Sequence, residues 1–517
     1  MATVALNSPV GRWTMASVIL ASSMAFIDST ALNVVLPSLQ KSLRATGSDL
    51  FWILNAYLLM LASLILIGGS LGDKLGRKKV FMAGIVVFIA GSAACGFAPT
   101  VNFLIAFRLL QGIGGALMIP GSLSLLSSSI NENERGKAIG TWSAITTVVT
   151  IGGPVIGGAL GDAGLWRYIF FINVPIGILA LFILWRKVGE IRDTNSDGAL
   201  DLGGAITTLL GLALLTFGFL RMPALGFGHW QVVGSLAAGI CLLTVFILIE
   251  RRSKSPMMPL SLFASPTFSG ANLLTFFLYA GLGAGMLFLS LNLVQVQGFS
   301  QLESGLTFLP FTVLMVTIAR FAGGLADKKG PRLLLIAGPA MAGIGLLLLS
   351  FVKQTTGPSA YWTSFFPGVL VLGLGMSFTV APLTTTVMSS VGDQFSGAAS
   401  GINNAMTRIS GVFANAIFGA LAVLFFSGTL QDKIKDLPLG AGEKQEIMAE
   451  AVNLGNAKVP ASLHTAADRA VVEKAYHTSF IDAYARILRI SAALAFLGAL
   501  MSFLFIKNKS DIHKKRS

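Results

Sequence analysis

Charged residues are scarce in this chain of 517 residues. Asp, Glu, Lys and Arg make up 12% of it, whereas soluble domains carry about 25%. Hydrophobic residues reach 54%, and they form a series of apolar stretches that are long enough to cross a lipid bilayer. This composition excludes a soluble enzyme and predicts an all-α polytopic membrane protein.

Cysteine and histidine are also rare, with two and four residues respectively. Cys95 and Cys241 both fall within apolar stretches, which excludes a disulfide framework and a cysteine metal site. The four histidines fall in predicted loops or in the C-terminal tail, which excludes a histidine proton relay inside the membrane. The phosphate-binding pattern Gly-x-x-x-x-Gly-Lys-Ser/Thr does not occur, which excludes an ATP-driven pump. We expect no metal and no cofactor, and an ion gradient as the energy source.

Fourteen apolar spans are predicted, in the order six, two and six. The first six lie at 13–37, 50–71, 79–98, 103–127, 137–160 and 168–186. Two inserted spans lie at 202–220 and 230–249. The last six lie at 267–293, 303–326, 331–352, 361–390, 399–427 and 479–506. The predicted domains are an N-terminal six-helix bundle (13–186), a linker with the two inserted helices (187–266), a C-terminal six-helix bundle with an external loop at 428–478 (267–506), and a basic tail (507–517).

The net charge of +14 follows the predicted topology. Lys and Arg are concentrated in the two termini and in the loops on the same side, which is the positive-inside pattern. We expect both termini to be cytoplasmic, in the cytoplasmic (inner) membrane of a bacterium, and we expect no nucleic-acid partner. Only Arg12 precedes the first span and no small-residue cleavage site follows a short apolar core, so we interpret this span as a retained helix.

One acid interrupts the first span, within the stretch from Met24 to Pro37. Asp28 is the only acid that we place deep inside an apolar helix. A carboxylate at that depth costs several kcal/mol unless it is protonated, paired or facing water. We therefore predict that Asp28 takes up and releases a proton.

The fourth span carries an arginine, Arg108, near the predicted depth of Asp28. At 1.5 Å per residue the two depths differ by only about 6 Å, so the side chains can meet directly or through one water. A guanidinium favours the ionised form of a carboxyl group and burial favours the neutral form, so a movable Arg108 would let Asp28 exchange its proton. The alternative is a static ion pair that holds two helices together.

The two six-span blocks share a motif that follows the second span of each block, at 69–78 and at 323–332. Its glycines allow close helix approach and a tight turn, and its charges can form a breakable latch at the membrane face. Internal repeats are how many secondary transporters build two halves around a site at mid-depth. The predicted latch residues are Gly69, Asp73, Gly76, Arg77 and Lys78 in the first block and Asp327, Gly330 and Arg332 in the second.

The fifth span contains Gly140, Gly153, Pro154 and Gly157. Proline and small residues at these positions predict a kinked helix whose backbone packs closely against a neighbouring helix. The corresponding helix of the second block lacks this motif.

Together these motifs resemble the major facilitator superfamily. The latch at 69–78 is similar to its cytoplasmic signature, the stretch 108–115 to its fourth-helix motif, and the fifth span to its antiporter motif, with Val149 where one glycine is expected. The stretches 28–37 and 166–177, with fourteen spans, resemble the 14-span drug:proton antiporters over nearly the whole chain. The resemblance implies export of lipophilic drugs, cationic dyes, antiseptics or endogenous metabolites in exchange for protons.

We expect a proton-coupled antiporter that exports small amphipathic compounds, as in multidrug efflux. An exporter or flippase of an endogenous lipid or metabolite is the alternative, and a non-transporting receptor or scaffold is a third hypothesis that gives no reason for the buried acid. The expected partners are a small lipophilic substrate, protons and the lipid bilayer. An envelope adaptor protein is a further partner that the sequence neither requires nor excludes. We expect a monomer. Candidates to line the substrate cavity are Asn33, Tyr57, Gln111, Trp142 and Asn173.

The later spans contain or adjoin four arginines that no deep acid matches: Arg320, Arg408, Arg486 and Arg489. With one acid at mid-depth and Arg108 beside it, a bound dication would keep one positive charge uncompensated. We therefore predict a preference for neutral or monocationic lipophilic compounds over dicationic ones.

Overall fold

The computed structural model describes residues 4–190, 201–253, 256–392 and 395–507, and these ranges are almost entirely helical. We call the helices before residue 190 the first half of the molecule. They are α1 (Pro9–Leu43), α2 (Gly47–Leu75), α3 (Arg77–Gly96), α4 (Val101–Ser129), α5 (Glu132–Asp162), α6 (Tyr168–Phe171) and α7 (Asn173–Lys187).

Two inserted helices separate the first half from the second half. The inserted helices are α8 (Leu202–Leu225) and α9 (Trp230–Arg252). The second half comprises α10 (Pro266–Gln295), α11 (Gln301–Thr307), α12 (Leu309–Lys329), α13 (Arg332–Ser350), α14 (Tyr361–Ser364), α15 (Phe366–Ser389), α16 (Ser396–Ile434), α17 (Ala441–Ala449) and α18 (Ala466–Phe505). The predicted linker residues 191–200 and tail residues 508–517 lie outside the described part of the chain.

Thirteen helices among the described residues are long and apolar enough to cross a membrane. The fifth predicted span corresponds to α5, whose apolar part is a shorter stretch at 148–162. The prediction of an all-α polytopic membrane protein is therefore confirmed, whereas the count of fourteen spans stays a prediction.

Local sequence signals set several helix ends. The Thr46 hydroxyl accepts a hydrogen bond from the Asp49 N–H, and the Asp49 carboxylate accepts one from the Thr46 N–H, which caps the start of α2. Three predicted spans are broken into a short and a long helix: α6 with α7, α11 with α12, and α14 with α15. Pro310 and Pro367 stand at the start of α12 and α15, where proline's missing N–H costs nothing and its ring begins a new helix.

The predicted external loop at 428–478 is shorter in the structure, because α16 continues to Ile434 and α18 begins at Ala466. Between them, α17 and a 3₁₀ helix (Glu450–Asn456) fold back onto the ends of the long helices. The Tyr476 hydroxyl of α18 donates to the Ile447 carbonyl of α17 at 3.1 Å. We call this face of the molecule the loop side, and the opposite face, where α1 begins and α18 ends, the terminus side.

The two halves meet closely at the loop side. The Asp162 carboxylate at the end of α5 accepts hydrogen bonds from the N–H groups of Gln301 (2.7 Å) and Leu302 (2.8 Å) at the start of α11. The Gln301 side chain also donates to the Ser38 hydroxyl of α1. At the terminus side, a Cβ atom placed on Gly140 of α5 or Gly324 of α12 would have no described atom within 4 Å. The halves are therefore closed together at one face, whereas at the other face Gly140 and Gly324 are not packed against the opposite half.

Candidate functional site

A fully buried ion pair lies at mid-depth in the first half. The Arg108 guanidinium of α4 donates through Nη1 to Asp28 Oδ2 of α1 at 2.5 Å. Gln111, one turn further along α4, accepts from the same Nη1 at 2.8 Å and donates through Nε2 to Asp28 Oδ1 at 2.8 Å. The structure thus brings Asp28 and Arg108 into direct contact and adds Gln111 as a third member of a closed ring of hydrogen bonds.

Aromatic and backbone groups complete the surroundings of Arg108. Its guanidinium carbon lies 4.5 Å from the centroid of the Tyr57 ring and 5.9 Å from that of Phe170. Its Nε donates to the Ile53 carbonyl at 3.4 Å. Such contacts stabilise a buried cation through the negative face of the ring and through the carbonyl dipole. Arg108 therefore keeps part of its stabilisation when its carboxylate partner is neutralised.

The glycines of α5 bring that helix against α1 within one turn of Asp28. A Cβ atom on Gly153 would overlap the Thr30 hydroxyl of α1, and one on Gly157 would lie 2.5 Å from the Ala31 carbonyl oxygen. Only glycine permits so close an approach of two backbones. A displacement of α1 near Asp28 is therefore transmitted directly to α5.

A neighbouring face of α5 contacts the second half. A Cβ atom on Gly158 would overlap the Gln301 carbonyl, and one on Gly305 of α11 would overlap the Pro154 carbonyl. The chain of packed backbones thus runs from α1 through α5 to α11. It links the buried ion pair to the loop-side junction of the halves.

The two predicted latches form tight turns at the terminus side. Gly76 between α2 and α3 has φ +109°, and Gly330 between α12 and α13 has φ +87°, conformations that residues with a side chain rarely adopt. The Lys78 ammonium donates to the Val188 carbonyl at 2.6 Å. The backbone N–H of Lys78 donates to the Glu190 carboxylate at 3.1 Å. The start of α3 is therefore tied to the segment that follows α7.

The remaining latch residues have mixed surroundings. Gly69 packs near Pro120 of α4, Arg77 reaches the Ser124 carbonyl of α4, and Arg332 donates to the Phe503 carbonyl of α18. The side chains of Asp73 and Asp327 lie outside the described part of the structure.

The other cavity candidates occupy different environments. Trp142 donates from its indole N–H to the Ser22 hydroxyl of α1 at 3.0 Å. Asn173 is fully buried and donates to the Ser92 hydroxyl at 3.0 Å, so it joins α7 to α3. Asn33 is partly buried, and its carbonyl accepts a hydrogen bond of 3.4 Å from Ser290 of the second half.

Two charged residues, Glu250 and Arg408, have surroundings that the sequence did not indicate. Glu250, near the end of α9, is buried beside Asp201 at the start of α8, and each carboxyl group has one oxygen without a described partner. The predicted span ends at residue 249, whereas α9 continues through Glu250 to Arg252. Arg408 of α16 lies at mid-depth, partly buried and without a described ion pair.

A polytopic helical membrane protein with two packed halves, one of which holds a buried ion pair at mid-depth, has the architecture of a membrane transporter. The sequence model of the Major Facilitator Superfamily matches residues 18–415, and the chain belongs to this family.

Similar proteins of known role are resistance and export proteins. The tetracenomycin C resistance and export protein of Streptomyces glaucescens is 30% identical over 501 residues, which cover 96% of this chain and 92% of that protein. The methylenomycin A resistance protein of Bacillus subtilis is 32% identical over 399 residues, covering 77% of this chain and 84% of that protein.

Solved structures show the same fold. A bacterial homolog of the human lysosomal transporter Spinster, in an inward-facing and unoccupied conformation, superposes with a TM-score of 0.65. The two chains are 19% identical, and the match covers 96% of this chain and 98% of the other.

Proposed function

We propose that this protein is a proton-coupled antiporter that exports small amphipathic compounds from the cell. The resistance and export proteins that it resembles over most of its length support export as the direction of transport. The observation that carries the coupling is the buried ring of Asp28, Arg108 and Gln111. It holds a titratable acid at mid-depth against a partner that other groups also stabilise.

Protonation of Asp28 provides the energy-coupling step of this proposal. A neutral carboxyl group no longer attracts the guanidinium, and Arg108 then rests on Gln111, the Tyr57 ring and the Ile53 carbonyl. Loss of the ion pair releases α1 from α4. Because α5 is packed on α1 beside Thr30 and reaches α11 at a neighbouring face, movement of α1 loosens the loop-side junction.

The orientation in the membrane is part of the proposal. We place both termini in the cytoplasm and the protein in the bacterial cytoplasmic membrane, as the distribution of Lys and Arg supports. The terminus side then faces the cytoplasm, and the structure represents the state that admits substrate from inside the cell. The proton gradient is the only energy source, no cofactor is involved, and the working unit is a monomer.

Replacement of Asp28 by Asn tests the coupling. The amide keeps the shape of the side chain and its hydrogen bond with Gln111 but does not titrate. We expect purified Asp28→Asn protein in proteoliposomes to lose transport driven by an imposed pH gradient, while substrate binding and thermal unfolding remain measurable. The control is Asp482→Asn, because Asp482 is an exposed acid paired with Lys433 at the loop side. Gradient-driven transport by Asp28→Asn at the wild-type rate would remove Asp28 from the mechanism.

A further inference from the structure

Arg408 is an arginine in the middle of a membrane-spanning helix. It lies about three turns, or about 18 Å, from the start of α16 at Ser396. Its side chain is partly buried rather than enclosed. A charged side chain at that depth is costly unless it is paired or faces water, so its surroundings are informative.

The neighbours of Arg408 place it between the two halves. Its charge lies within electrostatic range of Tyr57 on α2 of the first half and of Tyr279 on α10 of the second half. On the same helix, a Cβ atom placed on Gly411 would lie 3.4 Å from the Leu58 side chain of α2. Gly411 lies three residues from Arg408, so the two share one face of α16 and Arg408 is directed toward α2 rather than the lipid.

Arg408 has no counter-charge among the described residues. The other mid-depth arginine, Arg108, is occupied by Asp28, and no other described acid lies at this depth. The described ion pairs beyond this one are Lys433 with Asp482 and Lys435 with Asp432, both at the loop side. The mid-depth region therefore carries one positive charge in excess, two from the arginines against one from Asp28.

A hydrogen-bond donor lies beside this charge. The Tyr57 hydroxyl is buried beside the Ser29 side chain of α1. Five residues further along α16, Phe413 packs edge-on against Phe276 of α10 at a centroid distance of 5.8 Å. A cation, a hydroxyl donor and aromatic rings nearby suit an amphipathic molecule that carries one acidic group.

We propose that Arg408, assisted by the Tyr57 hydroxyl, binds the acidic group (a carboxylate, sulfonate or acidic phenol) of the compound that the protein exports. This proposal rests on the proposed export function and assigns it a substrate class. The acidic group neutralises the excess charge, so binding is stronger for acids than for neutral compounds of equal size. Acids thus rank above the neutral and monocationic compounds that the sequence favours over dications. The proton site at Asp28 and the anion site at Arg408 are separate, so the two ligands are coupled through the change of conformation and not through competition for one carboxylate.

The test compares a matched acid and amide. Dansyl-leucine and dansyl-leucinamide have nearly equal apolar area and differ by one negative charge at neutral pH. Binding of each is measured by dansyl fluorescence on the purified full-length protein in lipid nanodiscs. We expect the wild-type protein to bind the acid about tenfold more tightly or better, as a charge-assisted hydrogen bond of about 1.4 kcal/mol or more gives.

Three variants locate the effect. Arg408→Gln is expected to remove the preference for the acid and leave binding of the amide unchanged, and Arg408→Lys to keep part of the preference. Tyr57→Phe retains the ring against Arg108 and is expected to weaken the acid severalfold without affecting the amide. Arg486→Gln is the control, because Arg486 is exposed on α18 and lies over the Phe425 ring at 5.5 Å. Thermal unfolding in detergent checks that each variant is folded.

Each outcome decides the matter. Any of three results would overturn the anion site. The wild-type protein would bind acid and amide equally, Arg408→Gln would lose binding of both equally, or dansyl-leucine would show no measurable binding. The export function is tested separately by gradient-driven transport of the amide, which does not use Arg408. Transport of the amide without preference for the acid removes only the anion site, and absence of gradient-driven transport of both removes the export function itself.

Discussion

The two ends of one face of α5 differ sharply in their surroundings. Eighteen residues separate Gly140 from Gly158, which is five turns at 3.6 residues per turn, so both glycines point in the same direction. At the loop side, Gly158 is packed against the backbone of Gln301 in the second half. At the terminus side, no described atom lies within 4 Å of a Cβ placed on Gly140.

This difference indicates how the molecule changes state. A face of small residues lets two backbones approach closely at either end. Exchanging one end for the other then requires breaking the polar contacts of Asp162 and Gln301 at the loop side. Gly324 of α12 is as open as Gly140, so the second half also offers a small residue at the terminus side. We expect the alternate state to close α5 against α12 there and to open the junction at Gly158.

The largest effect is expected from Gly158→Leu, compared with Gly140→Leu. Both changes add the same side chain to the same face of one helix, so differences in helix propensity cancel. The leucine side chain in Gly158→Leu would overlap the backbone of Gln301 and Leu302, which we expect to cost about 3 kcal/mol at the closed junction. In Gly140→Leu the added side chain meets open space, so the closed junction should be unaffected while the alternate state is blocked.

A buried cysteine reports the state of the junction. Ser304→Cys is introduced in a Cys241→Ser background, because Ser304 is fully buried in α11, Cys241 is exposed and Cys95 is buried. A membrane-impermeant maleimide should label Ser304→Cys rapidly in the Gly158→Leu protein and slowly in the Gly140→Leu protein. Gradient-driven transport should fall strongly in both. Rapid labelling in Gly140→Leu would show that the two ends do not alternate.

A smaller effect is expected from Asp162→Asn at the same junction. The Asp162 carboxylate caps the first N–H groups of α11, where the positive end of the helix dipole favours an anion. The amide keeps one acceptor oxygen and loses the charge, which should cost about 1 kcal/mol and shift the population of the open junction about fivefold. Labelling of Ser304→Cys should rise by that factor. Asp432→Asn, at an exposed loop-side acid, serves as the control and should leave the labelling rate unchanged.

The membrane fold and the central ion pair could be predicted from the sequence because each rests on a one-dimensional property. Apolar length gives the helices, and residue count along a helix gives depth, which is how Asp28 and Arg108 could be expected to meet. Gln111 is one turn from Arg108, and its role in the ring could have been inferred from that spacing.

Other features depend on rotation and on long-range packing, which residue spacing along one helix does not determine. The sequence placed Arg408 in a span, but its position between the halves depends on how α16 is turned against α2 and α10. The burial of Glu250 depends on the contact between α8 and α9. The predicted span at 479–506 is shorter than α18, which begins at Ala466, because the stretch at 466–477 is amphipathic and is not part of the apolar run.

The smallest effect is expected at the terminus side, from Asp73→Asn. This residue lies near the end of α2, just before the tight turn at Gly76, and its counterpart in the second half is Asp327. In the state described by the structure Gly140 and Gly324 are not packed against the opposite half at the terminus side, so a latch there acts mainly in the alternate state. Removing one charge near helix ends changes a free energy by about 0.3–1 kcal/mol, so the transport rate should fall about twofold to fivefold.

The fall should be seen in initial rates of gradient-driven transport of dansyl-leucinamide, while its dissociation constant stays at the wild-type value because the latch is far from mid-depth. Asp327→Asn should give a change of the same kind through the repeated motif, and labelling of Ser304→Cys should decrease in neither variant. A loss of binding as large as the loss of transport would instead place Asp73 in the substrate site and end its interpretation as a latch.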